Sequence, residues 1–147
     1  MANKKMNLGS LKKIESKQFT QKKIIVGDFE VLIDQQFKKS KILALLKEFL
    51  EKDEYTKKNN INMDVLSYLF ILCIKYFTDI DMGETFEEQI FAGNVLVDME
   101  YMDIISEAFD ENEMKKIAKT FEEFRDNVEK LAEEMKKEKE LKNSEES

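Results

Sequence analysis

The chain has 147 residues, of which 42% are hydrophobic and 37% charged, and its formal net charge is −7. That length fits one domain, and no Pro with only four Gly favours long helices over a turn-rich all-β fold. The charge is uneven: residues 1–23 hold seven Lys against one Glu, while the tail from Glu129 adds only −2, so the body between them is strongly acidic. An acidic body repels phosphate, and Arg125 is the only Arg, which argues against specific nucleic-acid recognition.

Residues 1–18 are basic and polar without a sustained hydrophobic period, and read as a flexible basic arm. From Phe19 the chain turns β-like. Ile24-Ile25-Val26, Gly27-Asp28 and Phe29-Glu30-Val31-Leu32-Ile33 spell a hairpin within residues 19–34, with Gly27 at the positive-φ position of a two-residue type II′ turn. Phe29, Val31 and Ile33 are expected on one side. A lone hairpin is marginal in water, so it must lie on helices or pair with another chain.

Helices are expected from about residue 38 on. Ile42, Leu43, Leu45, Leu46, Phe49 and Leu50 form a helical stripe, followed by a polar loop from Lys52 to Asn60. Asn62 or Asp64 can cap the next helix, which runs to about Phe77. Leu69 to Ile74 is apolar all round and belongs at the centre of a bundle. Thr85 and Glu88 make a capping box that opens a helix through Phe86, Ile90, Phe91 and Val97. Tyr101, Ile104, Ile105 and Ala108 mark a short amphipathic helix. Asp110 is the clearest N-cap, with Glu113 three residues on and Phe109 and Met114 as a hydrophobic staple. These elements make the fold mainly α: a compact bundle of about five helices with a short N-terminal β-hairpin, one globular domain over residues 19–135, and a charged, disordered tail over 136–147.

After Asp110, residues Met114, Ile117, Phe121, Phe124, Val128, Leu131 and Met135 alternate steps of three and four, as heptad a and d positions do. Ala118 and Ala132 widen the stripe at e, which suits packing on the chain's own core in the first half. Val128, Leu131 and Met135 either cap that core or lie open on a protruding helix. An open apolar stripe calls for a second copy or a client helix, so these three residues are the candidate partner-binding site.

There is no His, the commonest general base and zinc ligand. Cys73 falls in the apolar central helix and reads as an inert buried thiol. No Gly-rich phosphate loop is present. Asp79-Ile80-Asp81-Met82-Gly83 and Asp110-Glu111-Asn112-Glu113 both depart from the EF-hand pattern and read as caps and turns. No catalytic, cofactor or metal site is expected, so the protein should not be an enzyme. The start lacks a signal-peptide apolar core, and the 13 residues from Val65 to Phe77 fall short of the about 20 that a membrane span needs. A soluble cytoplasmic protein is expected.

The stretch Tyr68-Leu69-Phe70-Ile71-Leu72-Cys73-Ile74-Lys75-Tyr76-Phe77-Thr78-Asp79-Ile80 continues into Thr85-Phe86-Glu87-Glu88, Val95-Leu96-Val97-Asp98 and Ile104-Ile105-Ser106-Glu107-Ala108-Phe109. Over about residues 24–128, a single domain's length, the chain thereby resembles the tail assembly chaperones of long-tailed (siphovirus-type) phages and prophages of Gram-positive bacteria. The resemblance rests on helix order and hydrophobic texture and carries no residue roles. It implies a small helical protein of the host cytoplasm, absent from the mature virion, that binds the tape measure protein, keeps it soluble and promotes polymerisation of the tail tube protein. It also implies a longer frameshift product, and Met135-Lys136-Lys137 are residues that a slippery run of A can encode. Two other classes fit the same residues: a helical regulatory adaptor or inhibitor of a host protein, and a structural tail-completion protein.

Overall fold

A computed structural model describes residues 5–145, so residues 1–4 of the basic arm and 146–147 of the tail lie outside the described residues. The chain is mainly α with one hairpin. In order it forms α1 (Leu8–Gln18), β1 (Gln21–Val26), β2 (Phe29–Asp34), α2 (Lys39–Lys58), α3 (Val65–Phe77), α4 (Phe86–Asp98), α5 (Tyr101–Ala108) and α6 (Glu111–Glu145). Two compact units divide between Glu113 and Met114.

Secondary structure reaches further than hydrophobic period indicates. Where the sequence suggests an irregular arm, Asn7 and Ser10 close a reciprocal capping box: the Asn7 side chain accepts the Ser10 N–H at 2.9 Å, and Ser10 Oγ accepts the Asn7 N–H at 2.8 Å. The resulting α1 buries none of its residues. Likewise α2 runs through the expected loop at Lys52 and ends only near Asn60, whose φ of +54° is left-handed. Pairs Asp53–Lys57 and Glu54–Lys58, at 2.9 and 3.0 Å, support that last stretch, and Thr56 is buried on it.

The hairpin pairs Ile24 with Val31 and Lys22 with Ile33 across a two-residue turn. Gly27 has φ +61°, while Asp28 stays at negative φ, the sign pattern of a type II′ turn. The hairpin is supported on both sides. Tyr101 of α5 fills the space beside Gly27. On β2, Ile33 bridges to Thr78, and the Leu32 N–H donates to Asp79 Oδ1 at 2.9 Å. Val31 and Ile33 are buried as expected, but Phe29, at the turn, is 65% exposed, and its cross-strand partner Val26 takes the buried place.

The first unit closes around α3, capped by Asp64 on the Ser67 N–H. Tyr68, Ile71, Leu72, Cys73, Ile74 and Phe77 are buried, and a large apolar side chain so placed contributes about 1.5–3 kcal/mol relative to exposure. Phe37 stacks on Phe77 with centroids 3.9 Å apart, and Phe109 meets both Phe37 and Phe70 edge-on. A second aromatic group joins Phe49, Tyr68, Phe86 and Tyr55. The expected capping box Thr85–Glu88 opens α4. That helix comes close to α3 at Gly93, where a Cβ would lie 2.6 Å from Ile71 Cδ1.

The second unit is the helix from Met114 onward. It continues through the segment read as a disordered tail to Glu145. The reason is local: no Gly follows Gly93 and no Pro occurs at all, while Glu, Lys, Ala, Leu and Met are strong helix formers.

Candidate partner-binding site

Exposure rises along the second unit. Ile117 is buried, Met114, Phe121 and Phe124 are partly exposed, and every residue from Arg125 to Leu141 is exposed. Val128, Leu131 and Met135 stand 47%, 57% and 58% exposed. Steps of three and four put them on one face of the helix. What the arrangement offers chemically is an apolar ridge about three side chains long, flanked by Asn127, Ala132 and Glu134.

The first unit contains a polar cluster that sequence reading does not find. Glu48 of α2 is 8% exposed. Its Oε1 accepts Lys75 Nζ at 2.7 Å and the Tyr76 hydroxyl at 2.8 Å, and its Oε2 accepts Gln89 Nε2 at 2.5 Å. Gln89 in turn accepts the Tyr68 hydroxyl at 2.5 Å and donates to the Gly83 carbonyl at 3.3 Å. Lys75 also pairs with Glu84 at 2.9 Å. Burial works to raise the Glu48 pKa, but hydrogen bonds from Lys75, Gln89 and Tyr76 outweigh it and hold the carboxyl below its ordinary 4.5. Burial and the Glu48 charge push the Tyr68 hydroxyl up, and burial with its bond to Glu48 does the same for Tyr76. Among the described residues no buried side-chain nitrogen or oxygen lacks a partner. The cluster therefore works as a brace across α2, α3 and α4. The only sequence signal for it is Gln89 on the buried face of α4.

The two acidic segments that depart from the EF-hand pattern have local duties. Asp79 accepts the Leu32 N–H, Asp81 accepts the Gly83 N–H at 2.9 Å, and Asp110 accepts the N–H groups of Asn112 and Glu113. Among the described residues no group of three His, Cys, Asp or Glu is placed to hold a metal ion, and no helix is long and apolar enough to cross a membrane. Cys73 is buried, and burial pushes its thiol up to about 12.

The apolar residues that mark α4 do not all face inward: Phe91 and Val97 are 70% and 56% exposed. The close approach at Gly93 turns the Phe86, Gln89 and Gly93 face inward and leaves Phe91 outside.

A family model described as YomO matches residues 8–147. A curated relative, the SPbeta prophage-derived uncharacterized protein YomO of Bacillus subtilis (strain 168), is 24% identical over 121 residues, covering 80% of this chain and 73% of its own. No solved structure matches.

Proposed function

The chain belongs to the YomO family, and from that premise we propose that it serves a phage or prophage as a non-catalytic protein-binding factor. The prophage origin of the B. subtilis relative supports the setting. The finer reading is a tail assembly chaperone that acts in the host cytoplasm, holds the tape measure protein until the tail tube protein polymerises around it, and is left out of the finished virion. The observation that carries the binding reading is the exposed ridge Val128, Leu131 and Met135 on α6. A helix face of this kind takes an amphipathic helix from a partner, with anchors spaced by three and four residues. Met135 suits varied clients because its side chain is unbranched and adaptable. The client class is a long helical protein that aggregates when alone.

The test is co-expression with the tape measure protein encoded in the same phage region, with client solubility as the readout. Wild-type chain should keep the client in the supernatant. Leu131→Glu combined with Met135→Glu should lose that ability while its melting transition stays unchanged. If wild type leaves the client insoluble, the chaperone reading fails. Unfolding of the variant would show that these side chains are structural, and the binding site would then have to be withdrawn.

A further inference from the structure

The flanking charges of α6 say what covers its ridge when no client is present. With Met114 at a, the later a positions are Phe121, Val128 and Met135, and the d positions are Ile117, Phe124, Leu131 and Glu138, whose charge ends the apolar seam after Met135. A β-branched residue at a followed by Leu at d, as in Val128 and Leu131, favours a two-stranded coiled coil. In a parallel pair, each g residue faces the e residue five positions on in the partner helix. Here that sets Glu134 against Lys139 of the second copy, and by symmetry the contact occurs twice. The neighbouring e and g positions, Ala132 and Asn127, carry no charge to oppose it. Nothing in the chain's own second unit covers the seam, since every residue from Arg125 to Leu141 is exposed.

We propose that in the free protein a second copy of this chain occupies the ridge, as a parallel, in-register coiled coil centred on Val128, Leu131 and Met135. The inference rests on the reading of this ridge as a binding face and adds its resting occupant. The seam spans only about two heptads, short for a coiled coil, so dimer and monomer exchange and a client helix can displace the second copy. Two roles then share one surface: the pair hides apolar side chains from water until the client arrives.

Sedimentation of the full chain across a concentration series reads the pairing directly, as a mass rising from 17.4 kDa toward twice that value. Glu134→Lys alone and Lys139→Glu alone each replace two attractive contacts by two repulsive ones. Each should move the dimerisation midpoint about tenfold higher in concentration. Mixing the two variants, or combining both changes in one chain, restores opposite charges and should restore the wild-type midpoint. Both positions are exposed, so folding is preserved, and circular dichroism checks it. Orientation is read from Glu138→Cys in a Cys73→Ser background: in a parallel pair the two copies of this d position meet and form the disulfide, whereas in an antiparallel pair centred on Leu131 they lie about 20 Å apart and do not. A monomer at every concentration, a charge swap without recovery, or no cross-link would each overturn the inference. The client-solubility assay is separate, so a monomeric chaperone would sink the dimer and leave the binding face standing.

Discussion

The Glu113 carboxylate accepts the backbone N–H of Phe37 at 2.8 Å, joining the first turn of α6 to the segment ahead of α2 across 76 residues of sequence. Both residues are buried, so this acceptor satisfies an N–H that water does not reach. Glu113→Ala leaves the donor unpaired and should cost about 1–3 kcal/mol. Glu113→Gln keeps an acceptor oxygen of the same reach and should lose less than half as much. Urea midpoints of the two variants decide it, and equal losses would mean that the hydrogen bond is not what Glu113 contributes.

Glu48 gives the fold a defined acid sensitivity. Its folded pKa is depressed, because hydrogen bonds from Lys75, Gln89 and Tyr76 overcome the opposing effect of burial. A depressed carboxyl contributes stability that is fully present above its unfolded pKa and is lost as pH falls through the folded value. The loss therefore begins below the ordinary 4.5 and deepens further into acid. Glu48→Gln should cost about 1–3 kcal/mol at neutral pH, since Lys75 keeps Glu84 as a second partner. It should also flatten the fall in melting temperature between neutral pH and pH 3. A variant with the wild-type acid slope would assign the sensitivity to other carboxylates.

Cys73 offers a check on the interior of α3. With the thiol 2% exposed and its pKa pushed up to about 12, the thiolate is scarce near neutral pH and has no path to a reagent. An aromatic disulfide reagent should leave the native chain unlabelled for as long as it stays folded and label one thiol on addition of denaturant. Cys73→Ala should cost about 1–2 kcal/mol through the lost packing and leave client solubility unchanged. Rapid native labelling would show that α3 opens locally.

The parts of the fold legible in the sequence are those with a local chemical cause. Asp64, Thr85 with Glu88, and Asp110 announce three helix starts by side chains that reach their own backbone N–H groups. Gly27 announces the turn in the same way, through a φ that other residues resist. What escapes notice depends on neighbours distant in sequence. With 31 acids in the chain, nothing marks Glu48 as the one that meets Lys75 and Gln89. Phe91 looks like core until the contact of Gly93 with Ile71 fixes how α4 is turned. The polar stretches at Lys52–Lys58 and beyond Met135 lack an apolar period, yet they contain strong helix formers and no Pro or Gly, so the helices simply continue. The candidate ridge is an intermediate case. Its spacing is plain in Val128, Leu131 and Met135, but their exposure is a property of the folded chain.

Gly27 and Tyr101 meet where the hairpin turn touches α5. Gly27 sits at φ +61°, where an L side chain is strained, and the Tyr101 ring of α5 occupies the space that a Cβ would enter. Gly27→Ala therefore combines two penalties: about 1–2 kcal/mol for the left-handed backbone, and about 1–3 kcal/mol for displacing a packed ring. Tyr101→Ala removes the ring and should destabilise on its own through lost contacts. In that background, though, Gly27→Ala should carry only the backbone penalty. The double variant should thus be more stable than the sum of the two single losses by at least about 1 kcal/mol, which a double-mutant cycle of urea midpoints measures. Strict additivity would mean that the ring moves aside freely, and α5 would then contribute nothing to holding the hairpin turn in place.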